Sequence, residues 1–414
     1  MLRHNITYST LPVGALFACV ASLSAVTAQA DNTFSDFFEQ GKLIVDARYR
    51  FEHVDQEGIA NEANAHTLRA RLGFQTGKVW DLQFLLEGEG VFHLSDEFND
   101  TVPNNPAFPI VADPEDIQIN RLQVEWSGLP QTAVTIGRQR MNLDNQRFIG
   151  GVAFRQNEQT FDALRITNTS IDSLTLTYAY ISQINRVFGE ESIQGAYEGD
   201  SHIVNAGYAI ANWGTLTGYA YLLDLEDFAT QSTATYGARF AGKHALSKDF
   251  NAVYAFEYAS QSDYATNPGE YELDYWMVEA GVAAHGFTLL GGMEALEGDG
   301  TRGFSTPLAT LHKFQGHADV FLTTPANGIV DRYATLSYDT KLEDAGPVTG
   351  LTAAVTYHDF EAERTSASFG SETDVELVAR MGDHWSTGIK YATYDGEGAF
   401  PDRDKLWLTV EFKY

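Results

Sequence analysis

From residue 43 to residue 414 the chain keeps returning to one pattern, short stretches in which apolar and polar side chains alternate strictly. In 43–52, Leu43, Val45, Ala47, Tyr49 and Phe51 fall on one face while Ile44, Asp46, Arg48, Arg50 and Glu52 fall on the other. Leu68, Ala70, Leu72 and Phe74 then alternate with Thr67, Arg69, Arg71, Gly73 and Gln75. A period of two belongs to a β-strand, because an α-helix would scatter the same residues around its circumference. After residue 30 there is no apolar run of the roughly 18 residues that a spanning helix needs, but a tilted strand crosses hydrocarbon in about 9–11. The pattern therefore excludes a helical membrane protein and leaves a membrane barrel open.

Trp80, Leu82, Phe84 and Leu86 continue the pattern against Asp81, Gln83, Glu87 and Glu89, and it predicts further strands near 117–127, 132–139, 161–168, 173–181, 202–210, 215–223, 233–243, 250–259, 272–283, 286–296, 332–341, 350–360, 375–382, 385–394 and 405–414, eighteen in all, with sixteen as the fallback count. Connections alternate in length. Thr76–Lys78, Gly128–Pro130, Asn168–Asp172, Ala211–Gly214, Leu246–Asp249, His285–Gly286 and Asp383–His384 are short, and those between them, including 94–116, 140–160, 182–201 and 297–331, are longer. Glu343–Gly350 is the one relatively long inner turn. A soluble sandwich predicts no such parity, whereas a bacterial outer-membrane barrel has short periplasmic turns and long extracellular loops. With 26 Phe, 20 Tyr and 36 Gly against 11 Pro, the composition suits strands and tight turns. The last strand puts Leu406, Leu408, Val410, Phe412 and the terminal Tyr414 on one face, like the closing strand that barrel assembly machinery reads. The expected fold is an all-β, transmembrane, antiparallel up-and-down barrel over 31–414, in contact with outer-membrane lipid and lipopolysaccharide.

Arg3 and His4, the apolar run from Leu11 to Val26 and Ala28-Gln29-Ala30 read as a cleavable signal peptide over 1–30. Leu16-Phe17-Ala18-Cys19 is a loose lipoprotein box, and either reading exports the chain to the Gram-negative outer membrane. Cys19 is the only cysteine.

A formal charge of −29 argues against nucleic acid as a partner, since a phosphate backbone needs a basic face. Asp96, Glu97, Asp100, Asp113, Glu115 and Asp116 stand in 94–116 without a base, so the outer rim is acidic; a solvated surface and divalent bridges to lipopolysaccharide both explain this. The loop at 140–159 is the exception, with Arg140, Arg147 and Arg155 against Asp144 and Glu158. By parity Arg48, Arg50, Arg69, Arg71, Arg121, Arg165, Arg239, Lys243, Arg380 and Lys390 face the lumen. Rings of basic side chains select anions; Asp46, Glu52, Glu87, Glu89 and Glu125 on the same face allow instead a structural Arg–Glu ladder.

Nothing points to catalysis. His312, His317 and Asp319 lie close in one loop without a frame that aims them at a metal, and no nucleophile elbow, phosphate loop or zinc helix occurs. No catalytic residue, metal or cofactor is expected.

Gly137-Arg138-Gln139, 143–150 (LDNQRFIG) and 155–162 (RQNEQTFD), together with 306–314 (TPLATLHKF) and 323–328 (TTPANG), resemble motifs of the alginate export family of outer-membrane porins. The resemblance implies a monomeric eighteen-stranded barrel that passes an anionic polysaccharide through an arginine-lined pore. It also implies that loops 140–160 and 297–331 fold inward with Arg138, Arg140, Arg147 and Arg155 near the constriction; the simpler possibility is that Arg147 and Arg155 pair with Asp144 and Glu158 and only anchor the loop. The function expected is a porin-like channel for small or polymeric anionic hydrophilic solutes. A structural or adhesive barrel is the alternative.

Overall fold

The computed structural model describes residues 32–342 and 346–414. The expected signal peptide with Cys19 lies outside them, as do residues 343–345 of the inner turn between the fourteenth and fifteenth strands. The described chain is a closed, antiparallel, eighteen-stranded barrel in which each strand pairs with its sequence neighbours and the last pairs with the first. The strands are β1 (Lys42–Gln56), β2 (Ala63–Gln75), β3 (Leu82–His93), β4 (Asp116–Leu129), β5 (Thr132–Gln139), β6 (Thr160–Asn168), β7 (Leu174–Asn185), β8 (Ala196–Ile210) and β9 (Gly214–Leu223). They continue as β10 (Thr233–Ala245), β11 (Asn251–Asp263), β12 (Glu272–Ala284), β13 (Phe287–Leu296), β14 (Ile329–Lys341), β15 (Val348–Glu361), β16 (Ser368–Met381), β17 (Trp385–Gly396) and β18 (Arg403–Lys413).

Several strands run further toward the loop end than alternation indicates: β8 begins at Ala196 rather than 202, and β16 at Ser368 rather than 375. Beyond the bilayer no lipid asks for an apolar face, so pairing continues where the alternation lapses. Loop parity holds in the bulk but not strictly, since the outer connections 57–62, 362–367 and 397–402 are as short as the inner 76–81.

Alternation sorts side chains as expected within the membrane. Arg48, Arg50, Arg69 and Arg71 are buried in the interior, whereas Phe256, Tyr258, Tyr357 and Tyr178 stand exposed on the outside. At the turn end, outward rings meet in pairs, Trp385 with Phe412 at 5.0 Å and Phe287 with Tyr338 at 4.4 Å between centroids. Such amphipathic rings favour the headgroup level.

Two features escape the period of two. A bulge in β4 slips the register between Glu87 and Gly88, so that the buried Asn120 and its neighbour Arg121 both reach Glu87 inside the barrel. Before β1, helix α1 (Asn32–Glu39) packs Phe37 against Phe84 and Phe38 against Phe74.

Candidate functional site: a lumen crossed by two loops

An eighteen-stranded barrel encloses more space than its own side chains fill. Here the space is crossed by two outer loops, L3 (140–159) and L7 (297–328). L3 enters because it carries apolar groups that an aqueous loop could not hide. Phe148 sits in a cage of Tyr219, Tyr221, Tyr275 and Phe304, with ring centroids 5.2 to 6.2 Å away, and Met141 and Ile149 are buried. L7 is sewn to it through Gly150 N–H to the Leu308 carbonyl (2.9 Å), Thr310 N–H to the Gln146 carbonyl (3.0 Å) and the Gln159 amide to Leu308 (3.1 Å). Gly150 is required by closeness, because a Cβ there would lie 2.2 Å from the Thr310 hydroxyl.

Ten of the arginines read from the sequence divide into three groups. Arg69, Arg71, Arg121 and Arg239 form the cross-strand ladder. Arg69 meets Asp46 at 2.5 Å and Glu411 at 3.2 Å, Arg71 pairs with Glu89 and with Glu158 at 3.2 Å, Arg121 holds Glu87 at 2.6 Å and Arg239 holds Glu257 at 2.8 Å. A second group fixes L3. Arg48 donates to Gln156 Oε1 (2.9 Å) and to the carbonyls of Ala153 (2.9 Å) and Arg155, while Arg50 donates to the Phe154 carbonyl (2.6 Å) and lies over its ring. Among the described residues Arg165 reaches only the Arg140 carbonyl, at 3.4 Å. The third group is carried by L3 itself. Arg140 forks onto Glu158, Arg147 lies 3.0 Å from Glu294 of β13, and Arg155 meets Glu52 and Asp319 at 3.1 Å and Asp113 at 3.7 Å.

These contacts correct two expectations. Arg147 and Arg155 anchor the loop, but to the wall, L7 and the 94–115 loop rather than to Asp144 and Glu158. Arg138 does not line the lumen. It shares the outward face with Ile136, pairs opposite Leu122, and forks onto Asp162 at 2.9 and 3.1 Å. Its parity with Val134 and Ile136 was the signal in the sequence.

Burial sharpens the loop charges. Although burial alone would raise the Glu158 carboxyl, Arg71 and Arg140 hold it down at about 2. Burial likewise opposes the Arg155 charge, yet Glu52, Asp113 and Asp319 keep its pKa above the ordinary arginine value.

L3 and L7 separate two cavities. The one toward the loop end, about 590 Å³, is bordered by Arg155, Arg186, Arg403 and Lys405 against the single carboxylate Asp319, with Phe108, Ile110 and Phe188 as its apolar side. Among the described residues, Arg186 and Arg403 have no carboxylate within ion-pair distance; Arg186 lies over Tyr197 at 4.3 Å and Arg403 donates to the Ala318 and Asp319 carbonyls. Below the loops a cavity of about 270 Å³ carries Glu279, Glu294, Asp331 and Asp374 against Arg239 and Lys313. Sequence reasoning missed Arg186, Arg403 and Lys405. Of these, Lys405 was legible, because it shares the lumen parity of the buried Trp407. No group of three or more His, Cys, Asp or Glu suited to a metal occurs among the described residues.

No family model matches the chain, and no curated protein matches it. Solved structures do. OpdK of Pseudomonas aeruginosa, crystallised with vanillate, superposes with a TM-score of 0.69 at 15% identity over 91% of this chain and 99% of its own. OccK9 (OpdG) gives 0.70 at 17% over 91% and 100%, and OpdQ gives 0.69 at 13% over 92% and 99%, both from the same organism. At these identities what is shared is the fold, an eighteen-stranded barrel.

Proposed function

We propose that the barrel is an outer-membrane channel for small hydrophilic anions. The observation that carries this reading is the chamber above the loops, where two arginines without carboxylate partners and a lysine face a single acid beside an apolar wall. Water-excluding walls focus the field of such groups, so an anion that passes the acidic rim meets an attractive site deeper in. The vanillate of the OpdK crystals is a small aromatic carboxylate, and a solute of that kind suits a chamber of this size and lining. A polymeric uronate is the solute that the resemblance to alginate export favours; two loops hydrogen-bonded across the lumen speak for the smaller one. They also lend support to a structural barrel that conducts nothing.

Planar-bilayer recording tests all three. Under a salt gradient the reversal potential should report anions over cations, and Arg186→Gln with Arg403→Gln should lower that ratio by about twofold or more. Arg138→Gln, on the outward face, should leave it unchanged. Cation preference in the unaltered chain would defeat the anion reading, and absence of current from correctly folded barrels would leave the structural one.

A further inference from the structure

We propose that residues 311–319 of L7 form an acid-released bar across the lumen, held shut by two neutral imidazoles, His312 and His317. This rests on the channel reading, since a bar matters only to a conduit.

The geometry of His312 fixes its protonation. Its Nδ1 lies 2.7 Å from Asp319 Oδ1 and its Nε2 3.2 Å from the Lys390 ammonium. An ammonium has hydrogens to give and no lone pair, so Nε2 accepts and the ring is the neutral Nδ1–H form. A proton added at Nε2 would set two donors against each other. Asp319 could not compensate, because its charge is already shared by Arg155 at 3.1 Å and Lys405 at 2.9 Å. The Phe154 ring closes one face of His312, with centroids 3.4 Å apart, and His317 the other at 4.9 Å.

His317 continues the bar toward the lower cavity. Its Nδ1 is buried without a hydrogen-bond partner, 3.7 Å from Asp374 Oδ2, and it faces His312 on its own loop and Lys390 on β17. On the wall, Asp374 lies 3.6 Å from His358, which is itself 2.9 Å from Asp331. Two backbone bonds dock the segment: Ala318 N–H to Glu372 (2.7 Å) and His317 N–H to Asp374 (3.2 Å). A carboxyl oxygen accepts from an amide in either protonation state, so these bonds do not set the direction of a pH response. Gly316 permits the close seat, since a Cβ there would fall 2.4 Å from the Glu372 carboxyl.

Burial and then Lys390 push His312 down to about 3, against the 6.5 of a solvated imidazole, and the same causes take His317 well below its ordinary value. A released loop would regain the ordinary value. A base that titrates lower when docked than when free costs nothing above the free value, and its docking weakens as the pH falls below it. The window therefore opens below about pH 6.5 and runs toward 3, with both histidines acting in the same direction.

Two measurements on the full-length barrel test the bar. In bilayers the open probability should rise at least about tenfold between pH 7.5 and 5.0. The double variant His312→Gln, His317→Gln should lose that step, and Lys390→Met, on the wall, should shrink it without altering the loop. Independently, nitroxides on Leu322→Cys and Ile59→Cys in a Cys19→Ser background should move apart over the same range. An unchanged spin distance, or a step that survives in the double variant, overturns the proposal. Labels that separate in a barrel passing no current at any pH would support the bar and overturn the channel.

Discussion

Arg155→Gln should detach L3 and L7 from the barrel wall and destabilise the docked loops by on the order of 3–5 kcal/mol, the usual cost of leaving buried charges without their partner. Three carboxylates converge on this guanidinium, Glu52 from β1, Asp113 from the 94–115 loop and Asp319 from L7, and all are buried. Lys405 would remain for Glu52 and Asp319, at 3.4 and 2.9 Å, but Asp113 would keep only the Gln156 N–H. Because the three acids belong to separate elements, losing the one cation that joins them should unfasten loops rather than strands. In thermal unfolding this predicts an early loop transition before barrel melting, with larger and noisier conductance below it. Arg155→Lys should recover only part, since an ammonium is a point charge and cannot fork between separated carboxylates. A melting curve and conductance identical to those of the parent would show that L3 is held by Phe148 and the L7 hydrogen bonds alone.

The barrel was legible because its rule is local. A strand in lipid must alternate, so Leu43 to Phe51 or Leu406 to Tyr414 discloses strand, face and register without any knowledge of partners. Where the lipid ends the rule ends too, which is why the outer ends of β8 and β16 were read as loop. The bulge at Asn120 and the helix before β1 were missed for the same reason, as neither follows a period of two.

The lumen was legible only in part. Parity placed Arg48, Arg50, Arg69 and Arg71 correctly, but it could not choose between a ladder and a constriction, because that depends on which acid stands opposite. Arg69 and Arg71 turned out to be ladder, while Arg48 and Arg50 bind the backbone of a loop more than a hundred positions away in sequence. Arg186 and Arg403 lie at the ends of connections, where nothing in the local pattern says that the 186–195 loop and the start of β18 border one chamber. The same holds for His312, whose role follows from Lys390 of β17 meeting the ring that Asp319 holds from its own loop.

Phe256→Arg should impair folding into lipid by roughly 2–4 kcal/mol, the range for arginine on the lipid face near the bilayer midplane. Phe256 is one of the two central residues of β11's outward row, 53% exposed, between Phe240 of β10 and Val278 of β12. Tyr254, one step toward the turn end, gives its hydroxyl to the Trp213 carbonyl in the inner turn, which marks that side of the interface. An arginine at 256 has no acid on the outward face within one register step, as its neighbours there are aromatic, valine, alanine or glycine. Snorkelling would recover little, because headgroups are farthest from the midplane. Phe250→Arg, in the inner turn just before the same strand, supplies the comparison and should cost about 0–1 kcal/mol. Urea titration of folding into vesicles measures both. Equal costs at the two positions would mean that the membrane is centred elsewhere on β11, whereas a large difference fixes the barrel's height in the bilayer and places the L3–L7 crossing nearer its loop-end leaflet.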